Sequence, residues 1–362
     1  MDRIAYFITS HGFGHAARAS AVMEAVKNLA PSVSFDIFTT APKWFFEDSI
    51  FDRFTYYEFL SDVGLVQNTP FTHDIKETIE ALDRFIPFDS ALLGETADLL
   101  KQRACRLVLC DISPIGISIA EKAGIPSVVV ENFTWDWIYE DFLHTNARIG
   151  RHVDYLRAIY RNVDHHIQTA PVCDPQRVDL IAMPISRKAR LSSGRVRETL
   201  GIAKGKKAIL LTTGGIKEEY RFLNSLFKEQ SVCFVIPGSH DKLLRRGNCI
   251  FLPYRSDFFH PDLVNAADAV IGKAGYSTIA EIYHAGVPFG YVPRPNFRET
   301  DPLVAFIEKE MKGICIGAED FLSGRWLRNV HLLLDFPRIQ RQDGNGSKQV
   351  ADMIINLLNV NN

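Results

Sequence analysis

Residues 3–30 read RIAYFITSHGFGHAARASAVMEAVKNLA, and the order of residue types in this stretch decides the fold. Ile4 to Ile8 form an unbroken apolar run, short and apolar on both faces, as a strand covered by helices on each side must be. Glycines at 12 and 14 then interrupt it. Ala19, Val22, Met23 and Val26 follow at i, i+3, i+4, i+7, the spacing of one helix face. Strand, glycine turn and helix in that order open a parallel α/β sheet.

The same alternation runs on through the chain. Strand-like runs occur at 3–9, 34–40, 55–59, 106–111, 127–132 and 165–170, and again at 208–214, 233–238, 249–254, 269–272, 288–293 and 313–317. Helical patterns lie between them. This predicts an α/β protein of two Rossmann-like, doubly wound domains facing a cleft, with ligands at the carboxyl ends of the strands. A stretch rich in proline, glycine, serine and charge at 171–205 marks the boundary. The reading is an N-terminal domain over 1–175, a C-terminal domain over 176–340 and a closing amphipathic helix within 341–362.

Composition narrows the function. A chain of 362 residues with 41 basic and 43 acidic side chains has a formal charge of −2 and no basic field for nucleic acid. No window approaches the roughly 18 apolar residues of a membrane span, and no signal-peptide pattern opens the chain. The cysteines (Cys105, Cys110, Cys173, Cys233, Cys249 and Cys315) form no CxxC pair, and most sit in apolar runs, so they read as reduced core thiols of a cytoplasmic protein. Lys43-Trp44-Phe45-Phe46 and the basic run Arg148 to Arg161 could touch a lipid surface, and they read better as packing and a solvated face.

The first glycine turn carries the first candidates. Gly12 and Gly14 let backbone approach a ligand, and the helix that follows presents unpaired N–H groups. Gly12-x-Gly14-x-x-Ala17 fits a dinucleotide fingerprint, but the second strand ends in Thr39 and Thr40, and its one acid, Asp36, lies near the strand start, so NAD binding is set aside. His11 and His15 flank the turn as candidate general bases, with capping as the alternative. Asp111, at the carboxyl end of RLVLCD, falls on the same rim; it could orient a histidine, bind a hydroxyl, or cap the helix after Ser113.

The second half holds a denser pattern, Gly272-Lys273-Ala-Gly275-Tyr-Ser277-Thr278-Ile-Ala-Glu281. Lys273, Gly275, Ser277 and Thr278 suit a diphosphate at a helix N-terminus, and Glu281 suits the ribose hydroxyls of a nucleoside. The alternative is a capping box closed by Glu281. Gly214 and Gly215 offer a second anion-binding turn, and Arg298, Glu299 and Asp301 place charge at the same rim. The sequence contains no Asp-x-Asp pair for a diphosphate-bound divalent ion, and His165-His166 point to opposite faces of a strand, so no metal is expected.

ITSHGFGHAAR, VENFTWDWIYEDF, GGIKEEY, AADAVIGKAGYSTIAE, PRPNFRETDPL and GNGSKQVAD resemble, in order, the GT-B glycosyltransferases. The likeness is to the type that adds N-acetylglucosamine in peptidoglycan lipid assembly, and more closely to the glycosyltransferase-like region of plant L-arabinokinases. The resemblance implies a nucleotide-sugar transferase with the acceptor on the N-terminal domain and the donor, a UDP-sugar, on the C-terminal one. It implies that His15 lies near the reacting centre and that Ser277, Thr278 and Glu281 face phosphate and ribose. The first expectation is a metal-independent, inverting transfer with no cofactor beyond the substrate. Where those enzymes carry Gln, or Asp then Gln, toward the donor sugar, this chain has Arg298-Glu299-Thr300-Asp301. Trp135, in the arabinokinase-like segment, could stack on a sugar or belong to the core. Two other readings stay open: a UDP-sugar 2-epimerase recruiting Asp111, Glu131 and Glu299, and a sugar-nucleotide sensor without turnover.

Overall fold

The computed structural model describes residues 2–50, 54–69, 72–212 and 222–360. The chain divides into two compact units, residues 1–67, 73–186 and 344–362 forming the first and 68–72 and 187–343 the second. The first nine strands are β1 (Arg3–Ile8), β2 (Ser34–Thr39), β3 (Phe54–Glu58), β4 (Gln67–Thr69), β5 (Thr72–His73), β6 (Cys105–Asp111), β7 (Ser127–Glu131), β8 (His165–Thr169) and β9 (Leu180–Ala182). The rest are β10 (Lys207–Thr212), β11 (Val232–His240), β12 (Leu244–Arg246), β13 (Cys249–Pro253), β14 (Ala269–Lys273), β15 (Phe289–Val292) and β16 (Gly313–Cys315).

These strands build two seven-stranded sheets, ordered β3-β2-β1-β6-β7-β8-β9 and β12-β13-β11-β10-β14-β15-β16, while β4 and β5 form a small ribbon. β12 runs antiparallel to β13 at one edge, whereas the central pairs are parallel. Every strand read from the sequence forms. The ribbon, β9 and β12 were not read: β9 is three residues inside the proline- and charge-rich stretch, and β12 is an exposed edge of Leu-Arg-Arg without apolar alternation.

Burial explains the apolar runs. Ile4 to Ile8 and Leu107 to Cys110 are fully buried, because helices cover both faces of a parallel sheet. The first core gathers Ile4, Tyr6 and Ile8 with Val22, Met23 and Val26 of the helix Phe13–Leu29. It also takes in Val350, Ala351, Ile354 and Leu358, so the terminal helix Gly346–Val360 belongs to the first unit. That unit runs on to Ser186, past the compositional boundary at 175, because β9 pairs with β8 and Asn345 Nδ2 donates to the Ser186 carbonyl at 2.8 Å. The second core packs Ile209, Leu211, Phe234 and Ile271 under Phe222 and Trp326.

Each sheet reverses its strand order at its centre, between β1 and β6 in the first unit and between β10 and β14 in the second. At such switch points the connecting helices depart to opposite faces, leaving space beyond the carboxyl ends of the two central strands. The register there pairs Ile8 with Asp111 and Thr212 with Gly272.

Phe45 and Phe46, weighed above as a lipid contact, are buried, and Phe13 lies with its ring 4.8 Å from that of Phe45. Arg148 and Arg151 pair with Asp83, and Arg157 with Asp136 and Glu140. Among the described residues no helix is long and apolar enough to cross a membrane.

Candidate functional site

The rim of the first sheet is built by one strained glycine. Gly12 has φ 74° and ψ −176°, a conformation closed to side-chain-bearing residues, and it turns the chain from β1 into the helix that begins at Phe13. His15 therefore lies in the first helical turn, and Arg18, three residues on, lies on the same face. Asp111 is the last residue of β6, the strand beside β1.

These side chains meet. Asp111 Oδ1 lies 2.7 Å from His15 Nδ1 and 2.7 Å from Arg18 Nη2, while Arg18 Nε donates to Oδ2 at 2.8 Å. Arg18 Nη1 donates to Asn132 Oδ1 at 2.6 Å, just beyond β7. Asp111 is fully buried, Arg18 is 1% exposed and His15 is 8% exposed. Burial pushes the Asp111 carboxyl up, but the Arg18 guanidinium and the hydrogen bonds from His15 and Arg18 outweigh it and hold it below the usual carboxylate range.

The ionised carboxylate fixes the tautomer of His15. An acceptor on both oxygens, Asp111 requires the proton of neutral His15 on Nδ1, so Nε2 carries the lone pair. Arg18 Nη2, 3.2 Å from the same Nδ1, is then a neighbour and not a donor to it. Asp111 does not cap the next helix, which starts at Pro114 behind Ser113. The arrangement can take a proton at Nε2 and hold the resulting charge against Asp111.

The other acceptor-side residues are packed. His11 stands edge-on to Trp135 with ring centroids 5.4 Å apart, and its ring fills the space beside Gly64. Trp135 is 1% exposed, stacks on Tyr139 at 5.6 Å and donates its indole N–H to Asp62 Oδ2 at 2.8 Å. It is a core residue, and no sugar face reaches its ring. Gly14 lies half-buried in the first turn. Asp36 is clasped by Arg3 and Arg103, which disposes of it as a ribose ligand. Glu131 accepts from Gln168 and lies 2.7 Å from His166 Nε2.

The second rim lies at the end of β14. Lys273 closes the strand and Gly275 precedes the helix Tyr276–Ala285, so Ser277 and Thr278 lie in its first turn with N–H groups that the helix itself cannot pair. Gly275 has ordinary extended angles, φ −136° and ψ 147°, so its value lies in size and not in backbone freedom. Glu281 is not part of a capping box: its Oε1 accepts from Arg187 Nε at 3.1 Å and Nη2 at 3.0 Å, and its Oε2 lies 2.7 Å from His260 Nδ1. Burial pushes Glu281 up, and the charges of Arg187 and His260 bring it below the usual range.

Glu299 is held by Arg294 Nη2 at 2.6 Å, and the Arg294 guanidinium lies 3.5 Å over the Phe297 ring. Arg298 is half-buried, and Asp301 is exposed in the first turn of the helix Thr300–Glu310. Lys273, half-buried, is pushed down to about 7 by burial and by Arg294, against the pull of Glu299. Gly214 and Gly215 lie outside the described residues.

Sequence reading missed Arg18, Asn132, Asp62, Arg187 and His260. Arg18 had a visible signal: it stands one turn after His15, a charged residue beside the apolar face of Ala19 and Val22. Arg187 and His260 had none, since only the folded second unit brings them to Glu281.

The L-arabinokinase of Arabidopsis thaliana is 30% identical over 328 residues, covering 89% of this chain and 31% of that protein. The UDP-N-acetylglucosamine–N-acetylmuramyl-(pentapeptide) pyrophosphoryl-undecaprenol N-acetylglucosamine transferase of Bacillus licheniformis is 26% identical, covering 62% of this chain and 58% of its own length. The chain thus spans about a third and somewhat over half of these two relatives. A UDP-glucosyltransferase from Polygonum tinctorium superposes with a TM-score of 0.62 at 12% identity, over 99% of this chain and 93% of that one, and shares the GT-B fold. The model of glycosyl transferase family 1 matches residues 2–325, and the chain belongs to that family.

Proposed function

We propose that this chain transfers a sugar from a UDP-sugar to an acceptor hydroxyl, without a metal ion and with inversion at the anomeric carbon. The observation that carries the reading is the His15–Asp111 pair clamped by Arg18. The acceptor O–H gives its proton to His15 Nε2. Its oxygen then bonds to the anomeric carbon as the bond from that carbon to the diphosphate oxygen breaks. Attack opposite the leaving group inverts the centre. The imidazolium that forms keeps its Nδ1–H on the Asp111 carboxylate, and UDP leaves with the bonding pair.

On the second unit, the first-turn N–H groups of Ser277 and Thr278 and the Lys273 ammonium meet the diphosphate charge. Glu281, whose oxygens keep lone pairs beyond those used by Arg187 and His260, takes the ribose hydroxyls. The Bacillus relative is named for UDP-N-acetylglucosamine, which makes that sugar a donor candidate.

The test is a panel of UDP-glucose, UDP-galactose, UDP-arabinose and UDP-N-acetylglucosamine with sugar acceptors, in EDTA, read by UDP release and by the anomeric coupling of the product. Turnover restored only by Mg²⁺ sinks the metal-free reading, and a retained configuration sinks inversion. A UDP-sugar isomerised without acceptor shows an epimerase, and tight binding with no turnover shows a sensor.

A further inference from the structure

A buried carboxylate that the mechanism above leaves unused lies beside the first rim. Asp62 follows β3, is 5% exposed, and accepts from the indole N–H of Trp135, itself sealed from solvent. The loop that carries it is stitched in place: Ser61 Oγ donates to the Ile8 carbonyl at 2.8 Å, Ser113 Oγ to the Ser61 carbonyl at 3.1 Å, and Tyr139 Oη to the Gly64 carbonyl at 2.7 Å. Trp135 and Phe133 together form an aromatic wedge beside the two histidines. His11 meets Trp135 edge-on, and Phe133 stands 5.3 Å from Trp135 and 6.1 Å from the His15 ring.

We propose that Asp62 is a positioning residue for the rim histidines: bonded to Trp135, it fixes the aromatic wedge against which His11 and, through Phe133, His15 are set, and it supplies a second buried negative charge beside Asp111 for the charge His15 acquires. The inference rests on His15 acting as the base.

The surroundings support it. Burial raises the Asp62 carboxyl to about 6, opposed by the indole N–H of Trp135, by the neighbouring Thr9 side chain and by the charge of His15, and assisted by Asp111. Tyr139 and Tyr160 also feel its charge, and both phenols are pushed up, chiefly by burial. The groups facing Asp62 are thus Thr9 after β1, His15 on the first helix, Asp111 on β6, Trp135 and Tyr139 on the helix Trp135–Glu140, and Tyr160. Folding raises this carboxyl above its unfolded value, so its ionised form costs stability above about pH 6, and the cost is relieved as pH falls. A charge kept at that cost beside the base suits function and not folding.

The discriminating variant is Asp62→Asn, whose amide oxygen still accepts from the indole while the charge is gone. At pH 8 it should melt no lower than wild type, and the protonation of the His15 ring, followed by its ¹⁵N shifts, should move to lower pH. UDP release from the best UDP-sugar should fall about 5- to 50-fold in kcat with donor KM within about twofold. A His15 ring that titrates as in wild type overturns the proposal. So does a folded variant with wild-type kcat where His15→Ala is inactive. Full turnover in His15→Ala instead sinks the base assignment, and the ring titration still reads the charge of Asp62 without any turnover. Should Asp62→Asn fail to fold, Trp135→Phe carries the test: without the indole donor Asp62 takes its proton at higher pH and loses its charge sooner, so His15 protonation should move to lower pH, as in Asp62→Asn. No movement overturns the proposal.

Discussion

His15 Nδ1 and Asp111 Oδ1 lie 2.7 Å apart although 96 residues separate them in the chain. Sheet order brings them together, since β1 and β6 are neighbours at the switch point and Ile8 pairs with Asp111. The helix that follows Gly12 then returns His15 over the end of β6. Arg18 completes the arrangement by keeping Asp111 ionised, and through it the tautomer of His15.

The pair predicts a specific pattern of loss. His15→Ala should lower kcat by about 100- to 10,000-fold while UDP affinity, read by calorimetry, stays within about twofold. Asp111→Asn keeps the shape but offers an amide in place of the acceptor that fixes Nδ1–H, so kcat should fall by a similar factor. Loss of UDP binding in either variant would move His15 and Asp111 out of the chemistry.

Arg18 is predicted to matter for folding as well as turnover. Arg18→Met leaves Asp111 as a buried charge with a single partner, at a cost of about 3–5 kcal/mol in urea unfolding at pH 7. The pH dependence follows from the sign of the shift. Asp111 is held below its unfolded value, so its stabilisation is present above that value and is lost as pH falls through the folded one. Acid unfolding of Arg18→Met should therefore begin at higher pH than in wild type. Coincident acid transitions would contradict the clamp.

The two glycine turns should respond differently to a methyl group. Gly12→Ala forces φ 74° on a side-chain-bearing residue and should cost about 1–3 kcal/mol, with displacement of His15 and loss of turnover. Gly275→Ala meets nothing closer than Lys273 Cε at 3.7 Å from the new Cβ, with ordinary φ, so stability should hold. If the diphosphate passes over Gly275, UDP affinity should nonetheless fall in that variant. Unchanged affinity would remove Gly275 from the donor site.

The legible part of this molecule is the part set by local pattern. Runs such as Ile4 to Ile8 and Ala269 to Gly272 announce buried strands because both of their faces must be apolar, and Gly12 announces a turn because only glycine accepts its angles. Asp111 was legible as a strand-end acid, but its role was not, because the choice between cap, ligand and histidine partner is made by Arg18 from a different element. Trp135 shows the opposite case. An aromatic in a polar-looking segment suggests a sugar platform, and only its bond to Asp62 and its stacking on Tyr139 reveal a buried wedge. Glu281 looked like either a cap or a ribose ligand, and Arg187 and His260, distant in sequence, decide against the cap.

Lys273 gives the proposed donor site a proton signature. Burial and Arg294 bring its ammonium down to about 7, so at pH 8 much of it is neutral, and stability gains as pH rises from about 7 toward the ordinary lysine value. A diphosphate placed beside it favours the charged form and pulls a proton from solution. UDP binding in EDTA should therefore take up close to one proton at pH 8–9, seen as a difference in heat between phosphate and Tris buffers, and affinity should weaken as pH rises through that range. Lys273→Met should abolish the uptake and bind UDP equally at both ends of it. Heats that do not depend on the buffer in wild type would mean that the diphosphate does not lie against Lys273, and the charge would have to be met by the first turn of the helix Tyr276–Ala285 alone.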